Sequence, residues 1–223
     1  MNWSWLRFAS WIDTRARFVD SLPSGGRLLD LGSSDGGTLC HFAELRPDLS
    51  LAAADIEGQP DKYPAKTDFK RADFDRDRLP WPDGSFDGIT CMHVVEHLQN
   101  PAHLLGECRR LLKPGGRVYI ETPAPWTVNA KSATGPATGK VTVNFYDDPT
   151  HVRPVPTEEI SAAAKAAGFQ EAVTGTSRNL LFAGVYLPLS LIRSNSRKRY
   201  VAQLHWTGWS VYAIARIPEA AAP

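Results

Sequence analysis

An α/β fold, a mostly parallel sheet with helices on both faces, is predicted by three features of the 223-residue sequence. Apolar runs of strand length alternate with helix-length segments, the pattern of right-handed βαβ crossovers. Three of those runs close on a carboxylate: Asp30, Asp55 and Asp73. The first passes straight into Gly32-Ser33-Ser34-Asp35-Gly36-Gly37, a glycine-punctuated turn ahead of a helix. Strand, tight turn and helix in that order build a ligand crevice at the carboxyl end of the first strand. Glycine suits the turn because it accepts positive φ and lets a ligand approach the backbone.

The composition fits one domain spanning 1–223, since a 43% hydrophobic chain of this length can bury one substantial core. A formal net charge of +1 gives no general bias toward nucleic acid or an anionic membrane. Cys40, Cys91 and Cys108 are scattered and form no Cys-x-x-Cys, which suits reduced thiols in a cytoplasmic protein. No apolar run reaches the roughly 18 residues needed to cross a bilayer, and no compact signal core opens the chain.

Residues 1–24 read as an N-terminal helix, Met1 to Asp20, ended by Pro23-Ser24-Gly25-Gly26. Trp5, Phe8, Trp11, Ile12, Phe18 and Val19 share a broad apolar face, with Arg15 falling inside it. The face is expected to pack on the sheet, an interfacial membrane helix being the alternative. Strands are expected at Arg27–Leu31, Leu49–Ile56, Phe69–Phe74, Ser85–Met92, Arg117–Thr122, Phe169–Thr176 and Trp209–Arg216. Helices follow at Thr38–Leu45, Pro101–Lys113 and Thr157–Ala167, the last opened by a Thr157 cap. Residues 57–67 are polar and carry two prolines, so the second crossover helix is short or missing. Asp55 lies 25 residues after Asp30, near the offset at which an acidic side chain meets ribose hydroxyls.

With these elements in place, Asp30-Leu31-Gly32-Ser33-Ser34-Asp35-Gly36 resembles the first motif of class I S-adenosylmethionine-dependent methyltransferases. Leu79-Pro80-Trp81-Pro82-Asp83-Gly84-Ser85-Phe86-Asp87 and Leu111-Leu112-Lys113-Pro114-Gly115-Gly116 are similar to the small-molecule, type 11-like branch of that superfamily. The likeness runs through residues 25–122, the donor-binding core, and implies a Rossmann-like three-layer sandwich with seven strands, the last antiparallel. It implies S-adenosylmethionine as methyl donor. Asp30, Gly32, Ser34 and Gly36 would hold its methionine end, Asp55 and Ile56 the ribose, and Asp73 with Phe74 the adenine, while Met92 and His93 line the pocket. Ser34 departs from the family's glycine. That weakens a NAD(P) reading more than a methyl-donor one, because a pyrophosphate needs the bare backbone there. It also leaves open a module that binds the donor without turnover.

His93-Val94-Val95-Glu96-His97 matches a His-x-x-Glu-His zinc-hydrolase pattern, which would need both histidines on one helix face, a third ligand, and Glu96 as base. The pentad follows a buried strand, so no metal is expected there, and His97 should close the next turn. Residues 123–156 form a lid-like insertion at the ligand edge of the sheet, with a possible strand at Val141–Tyr146. Within it Asp148-Pro149-Thr150-His151-Val152-Arg153-Pro154 resembles a segment of methyltransferases associated with bacterial surface-polysaccharide synthesis. His151 is the leading candidate base for an acceptor hydroxyl, with His93 in reserve. Fastening the lid, or an Asp147/Asp148/His151 metal site, are the alternatives.

A second insertion, 177–207, interrupts the C-terminal region 157–217. Its apolar run Leu180–Ile192 precedes Arg193 and Arg197-Lys198-Arg199. It either packs on the N-terminal helix and walls the acceptor pocket or meets an anionic membrane surface, with Gly184 and Pro188 expected to break any continuous amphipathic helix. A small-molecule or lipid-linked acceptor is expected; nucleic acid is not, for want of a broad basic surface or base-flipping signature.

Overall fold

A computed structural model describes residues 4–131, 143–170, 172–191 and 197–219. In chain order the elements are α1 (Thr14–Asp20), β1 (Arg27–Leu31), α2 (Gly37–Leu45), β2 (Ser50–Asp55), β3 (Asp68–Arg71) and β4 (Phe86–Met92). There follow α3 (Pro101–Leu111), β5 (Leu112–Pro123), α4 (Thr157–Ala166), β6 (Val173–Ser177), α5 (Leu180–Leu191), α6 (Arg197–Thr207) and β7 (Ser210–Arg216). Seven strands form one sheet in the order β3-β2-β1-β4-β5-β7-β6. Only β7 runs against the rest, pairing antiparallel with both β5 and β6. The predicted three-layer Rossmann-like sandwich is therefore the observed one.

Alternation along each strand assigns its side chains to two layers. Leu29 and Leu31 of β1, Ile89 and Cys91 of β4, and Val118 and Ile120 of β5 join Leu104, Leu105, Cys108 and Leu111 of α3 in the larger core. Leu28, Tyr119 and Tyr212 face the opposite layer, where Phe18 and Val19 of α1 and Phe42 and Leu45 of α2 cover them. Asp30 shares Leu28's face, which explains why a carboxylate at the strand's end is only 1% exposed.

The N-terminus is not one helix. Short 3-10 turns at Ser4–Phe8 and Ser10–Ile12 precede α1, whose first turn is capped by Asp13 accepting from the amides of Arg15 and Ala16. An Asp immediately ahead of a helical run nucleates its own N-terminus there and interrupts the periodicity upstream. Phe18 and Val19 are buried as expected, but Phe8 and Trp11 stand 80% and 67% exposed. Leu6 fills the core in their place.

Three further expectations change. Pro156, not Thr157, occupies the cap position of α4, and no side chain caps that helix. Asn144 caps a 3-10 turn at Phe145–Asp147 where a strand was expected; Val141 and Thr142 lie outside the described residues. Gly184 and Pro188 do not interrupt α5, which is continuous from Leu180 to Leu191, although its nearly all-apolar sequence gives it no amphipathic face. Both are exposed, so water can take up the carbonyl that Pro188 leaves unbonded. The short second crossover is observed as a 3-10 turn, Pro60–Lys62.

Candidate active site

The turn after β1 is shaped by backbone conformations that side chains resist. Gly32 takes φ +80°, and a Cβ there would stand 2.2 Å from Cγ2 of Val94. Ser34 takes φ +45° without being glycine. It is held by its amide donating to Oδ2 of Asp55 at 2.8 Å, and by the Tyr63 hydroxyl donating to its carbonyl at 3.0 Å. The other oxygen of Asp55 accepts from the Glu57 amide at 2.7 Å. Asp55 thus ties β2 to the glycine turn while keeping further lone pairs for a ligand.

A cavity of about 680 Å³ opens at the carboxyl ends of β1, β2 and β4. Seven of the predicted site residues line it: Gly32, Ser34, Asp55, Ile56, Asp73, Phe74 and His93. Ile56 is 56% exposed. Asp73 sits in the turn beyond β3, its amide bonded to Asp77 and its carboxylate accepting from the Asp75 amide.

The other four stand apart from the cavity wall. Asp30 lies beneath it, accepting from the Thr90 hydroxyl at 2.7 Å. Burial pushes its carboxyl up to about 7, with the nearby Asp55 charge adding to the rise and the Thr90 bond opposing it. Gly36 opens α2 at φ +77° with the Tyr63 ring over it, so its missing side chain makes room for packing. Met92 packs against the α1–α2 layer, on the opposite face from Cys91. His151 lies behind the wall that Thr150 and His97 form, its ring centroid 4.7 Å from that of His97.

His93 occupies a strained position, φ +56°, just past β4. Its Nδ1 is 3.2 Å from Glu96 and its Nε2 is 3.3 Å from Glu121, both carboxylates fully buried. Burial alone would lower the imidazole's pKa, but the two carboxylates outweigh it and raise it to about 9. His93 is therefore a cation at neutral pH, a donor of hydrogen bonds and a poor proton acceptor. It also borders a second cavity of about 190 Å³, walled by Arg15, Glu121, Ser177, Val201, Leu204, His205, Trp209 and Ser210. Three residues of α6, Val201, Leu204 and His205, stand in that wall, so the second insertion does enclose space beside the first cavity.

The zinc-hydrolase pattern does not assemble. Only Val95–His97 is helical, a single 3-10 turn, and His93 spends both ring nitrogens on carboxylates. A different set, Glu96, His97 and His151, does converge. The sequence reading missed Glu57, Gln59, Ala72, Asp75, Val94, Leu98 and Thr150 as lining residues. Most flank a residue it did name, and adjacency to a strand-end carboxylate was the available signal.

A family model described as a methyltransferase domain matches residues 3–172. A ubiquinone biosynthesis O-methyltransferase of Thiobacillus denitrificans (strain ATCC 25259 / T1) is 29% identical over 185 residues, 77% of this chain and 74% of that protein. One from Xanthomonas axonopodis pv. citri (strain 306) is 32% identical over 108 residues. That match spans 45% of this chain and 44% of the relative, and the chain likewise spans under half the length of several other curated relatives. Among solved structures, a chain of the Haloferax volcanii complex between the Trm112 methyltransferase activator and a methyltransferase superposes with TM-score 0.66. It is 18% identical, with 96% of this chain and 92% of that one covered. A SAM-dependent methyltransferase from Archaeoglobus fulgidus gives TM-score 0.61 at 19% identity, covering 90% of both. The chain belongs to the methyltransferase-domain family, and it shares its fold with the S-adenosylmethionine-dependent methyltransferase of Archaeoglobus fulgidus.

Proposed function

We propose that the protein transfers a methyl group to a hydroxyl oxygen of a small or lipid-linked acceptor, with the donor seated in the larger cavity. Asp55 and Ile56 are assigned to the ribose, Asp73 and Phe74 to the adenine. Gly32 and Ser34 are assigned to the methionine end, with Asp30 beneath them and Gly36 and Met92 acting through packing. The cavity volume lies in the range of cofactor sites, and its wall offers both carboxylates and apolar side chains. The donor supplies an electrophilic methyl on a sulfonium, so the protein's contribution is mainly proximity and alignment.

The observation that carries the acceptor chemistry is the state of His151. Its Nδ1 donates to the Phe145 carbonyl at 2.6 Å, which leaves Nε2 as a lone pair beside the cavity wall. An attacking hydroxyl must lose its proton, and this lone pair is the acceptor we assign, His93 being held as a cation. The curated relatives are named O-methyltransferases of ubiquinone biosynthesis, which supports oxygen and a lipid-like acceptor. No helix among the described residues is long and apolar enough to cross a membrane. Exposed Leu180, Leu181, Leu187 and Leu191 on α5, with Phe8 and Trp11, support peripheral contact of a cytoplasmic enzyme with a membrane surface.

Incubation with methyl-labelled donor and fractionated bacterial extract tests this reading. Label recovered as a methyl ether in a polar-lipid or quinone fraction is expected. Label only on nitrogen, or only on nucleic acid, contradicts it.

A further inference from the structure

We propose that Glu96, His97 and His151 form a site for one divalent transition-metal ion, zinc(II) being the best match, on the wall between the donor cavity and the 143–153 segment. One carboxylate oxygen of Glu96 and one ring nitrogen of each histidine lie within 4.8 Å of one another. Two imidazoles and a carboxylate are a ligand set that zinc accepts with its fourth position open.

Three observations make this a built site. The first is an orphan: Glu96 is fully buried, and its Oε2 has no hydrogen-bond partner among the described residues. A buried carboxylate oxygen without a partner carries a large desolvation cost that a cation would offset. The second is the aim of the rings. His97 Nδ1 meets the Thr150 hydroxyl at 2.9 Å, and His151 Nδ1 donates to the Phe145 carbonyl at 2.6 Å. Each histidine thus spends one nitrogen on an orienting oxygen and has Nε2 left, the arrangement of metal-bound histidines. The third is rigidity, since the Val152 amide donates to the Glu96 carbonyl at 2.8 Å and sews the two loops together. Zinc–nitrogen bonds of about 2.0–2.1 Å place tetrahedral ligand atoms about 3.3 Å apart. Side-chain rotation is enough to close the remaining gap of at most about 1.5 Å.

This deepens the proposed function, on which only the metal's role in turnover rests. His97 and Thr150 line the donor cavity, so the open position would take an acceptor oxygen there. With the ion bound, it would lower that hydroxyl's pKa and the proton would pass to bulk water while His151 serves as ligand; the base role assigned to His151 above is that of the metal-free protein. The C–O bond forms as the sulfonium S–C bond breaks, and the electron pair of the broken bond stays on sulfur.

The test is calorimetric titration of the chelator-stripped full chain with zinc(II), without donor, and with S-adenosylhomocysteine binding as a fold control. One equivalent is expected, weakened at least 100-fold in His151→Ala while S-adenosylhomocysteine still binds. Glu96→Gln, nearly isosteric, should lose the metal likewise and stands in if His151→Ala fails to fold. Cobalt(II) in the wild type should show the visible ligand-field bands of a tetrahedral site. Binding of less than one equivalent, or equal affinity in well-folded variants, overturns the site. Loss of S-adenosylhomocysteine binding with zinc retained would instead count against the donor assignment.

Discussion

Arg15 of α1 reaches down onto the sheet face beneath it to grip Glu121 of β5, a carboxylate with no exposed surface. Its Nε donates to Oε2 at 2.9 Å, and its NH2 group closes a second contact on Oε1. The Tyr119 and Ser177 hydroxyls donate to the same Oε2, and His93 approaches Oε1. Burial alone would raise the Glu121 carboxyl, but Arg15 and His93 outweigh it and hold it well below the ordinary range. The N-terminal segment is thereby locked to the strand that positions His93, linking stability to the shape of the second cavity.

Removing Arg15 leaves that buried charge with only His93, which it shares with Glu96, to offset it. Arg15→Met should cost about 3–5 kcal/mol in urea unfolding, the usual penalty for breaking one side of a buried pair. Glu121→Gln in the same background should recover part of the loss. A cost below about 1 kcal/mol, the worth of an exposed pair, would mean that the contact is solvated.

Gly32 is the position in the turn where a side chain has nowhere to go. Gly32→Ala places a methyl against Val94 at a backbone angle that L-residues avoid. A destabilisation of about 1–3 kcal/mol is expected, with weaker S-adenosylhomocysteine binding because Val94 lines the cavity. Differential scanning fluorimetry and calorimetry read the two effects separately.

Ser34 should behave in the opposite sense. Ser34→Gly relieves a positive φ and keeps the amide bond to Asp55. Stability should rise by up to about 1 kcal/mol, less the entropy that glycine adds to the unfolded chain. Product affinity should be unchanged or tighter. A large loss of affinity would mean that the hydroxyl itself holds the ligand.

Asp30 gives the apoprotein a pH dependence of definite sign. Its folded pKa, about 7, lies above the ordinary 3.8, so between those values the native state binds the extra proton. Its contribution is therefore fully present below about pH 4 and is lost as pH rises through 7. Asp30→Asn cannot ionise, so its stability relative to wild type should climb between pH 5 and pH 8. Urea titrations at those two pH values check this, and a difference that does not change with pH contradicts the assignment.

The strands and the cavity at their carboxyl ends were legible because hydrophobic runs, glycine turns and terminal carboxylates are local signals. Asp55 and Asp73 could be placed by strand ends alone. What the sequence hid was set by tertiary partners. Arg15 disturbed an apolar face for no local reason, and its purpose appears only with Glu121, 106 residues away. His93 looked like a reserve base until two buried carboxylates surrounded it. Gly36 resembled a ligand contact, yet its bareness answers the Tyr63 ring. The convergence of Glu96 and His97 with His151 joins loops more than fifty residues apart, which no spacing rule anticipates.

The most direct test is isothermal titration of the purified protein with S-adenosylhomocysteine, comparing wild type with Asp55→Ala. The account predicts one equivalent bound by the wild type. Affinity should fall at least about tenfold in Asp55→Ala, about 1.4 kcal/mol, as the ribose and the Ser34 turn lose their shared carboxylate. No heat of association with well-folded wild type, or equal affinity in the variant, would contradict it.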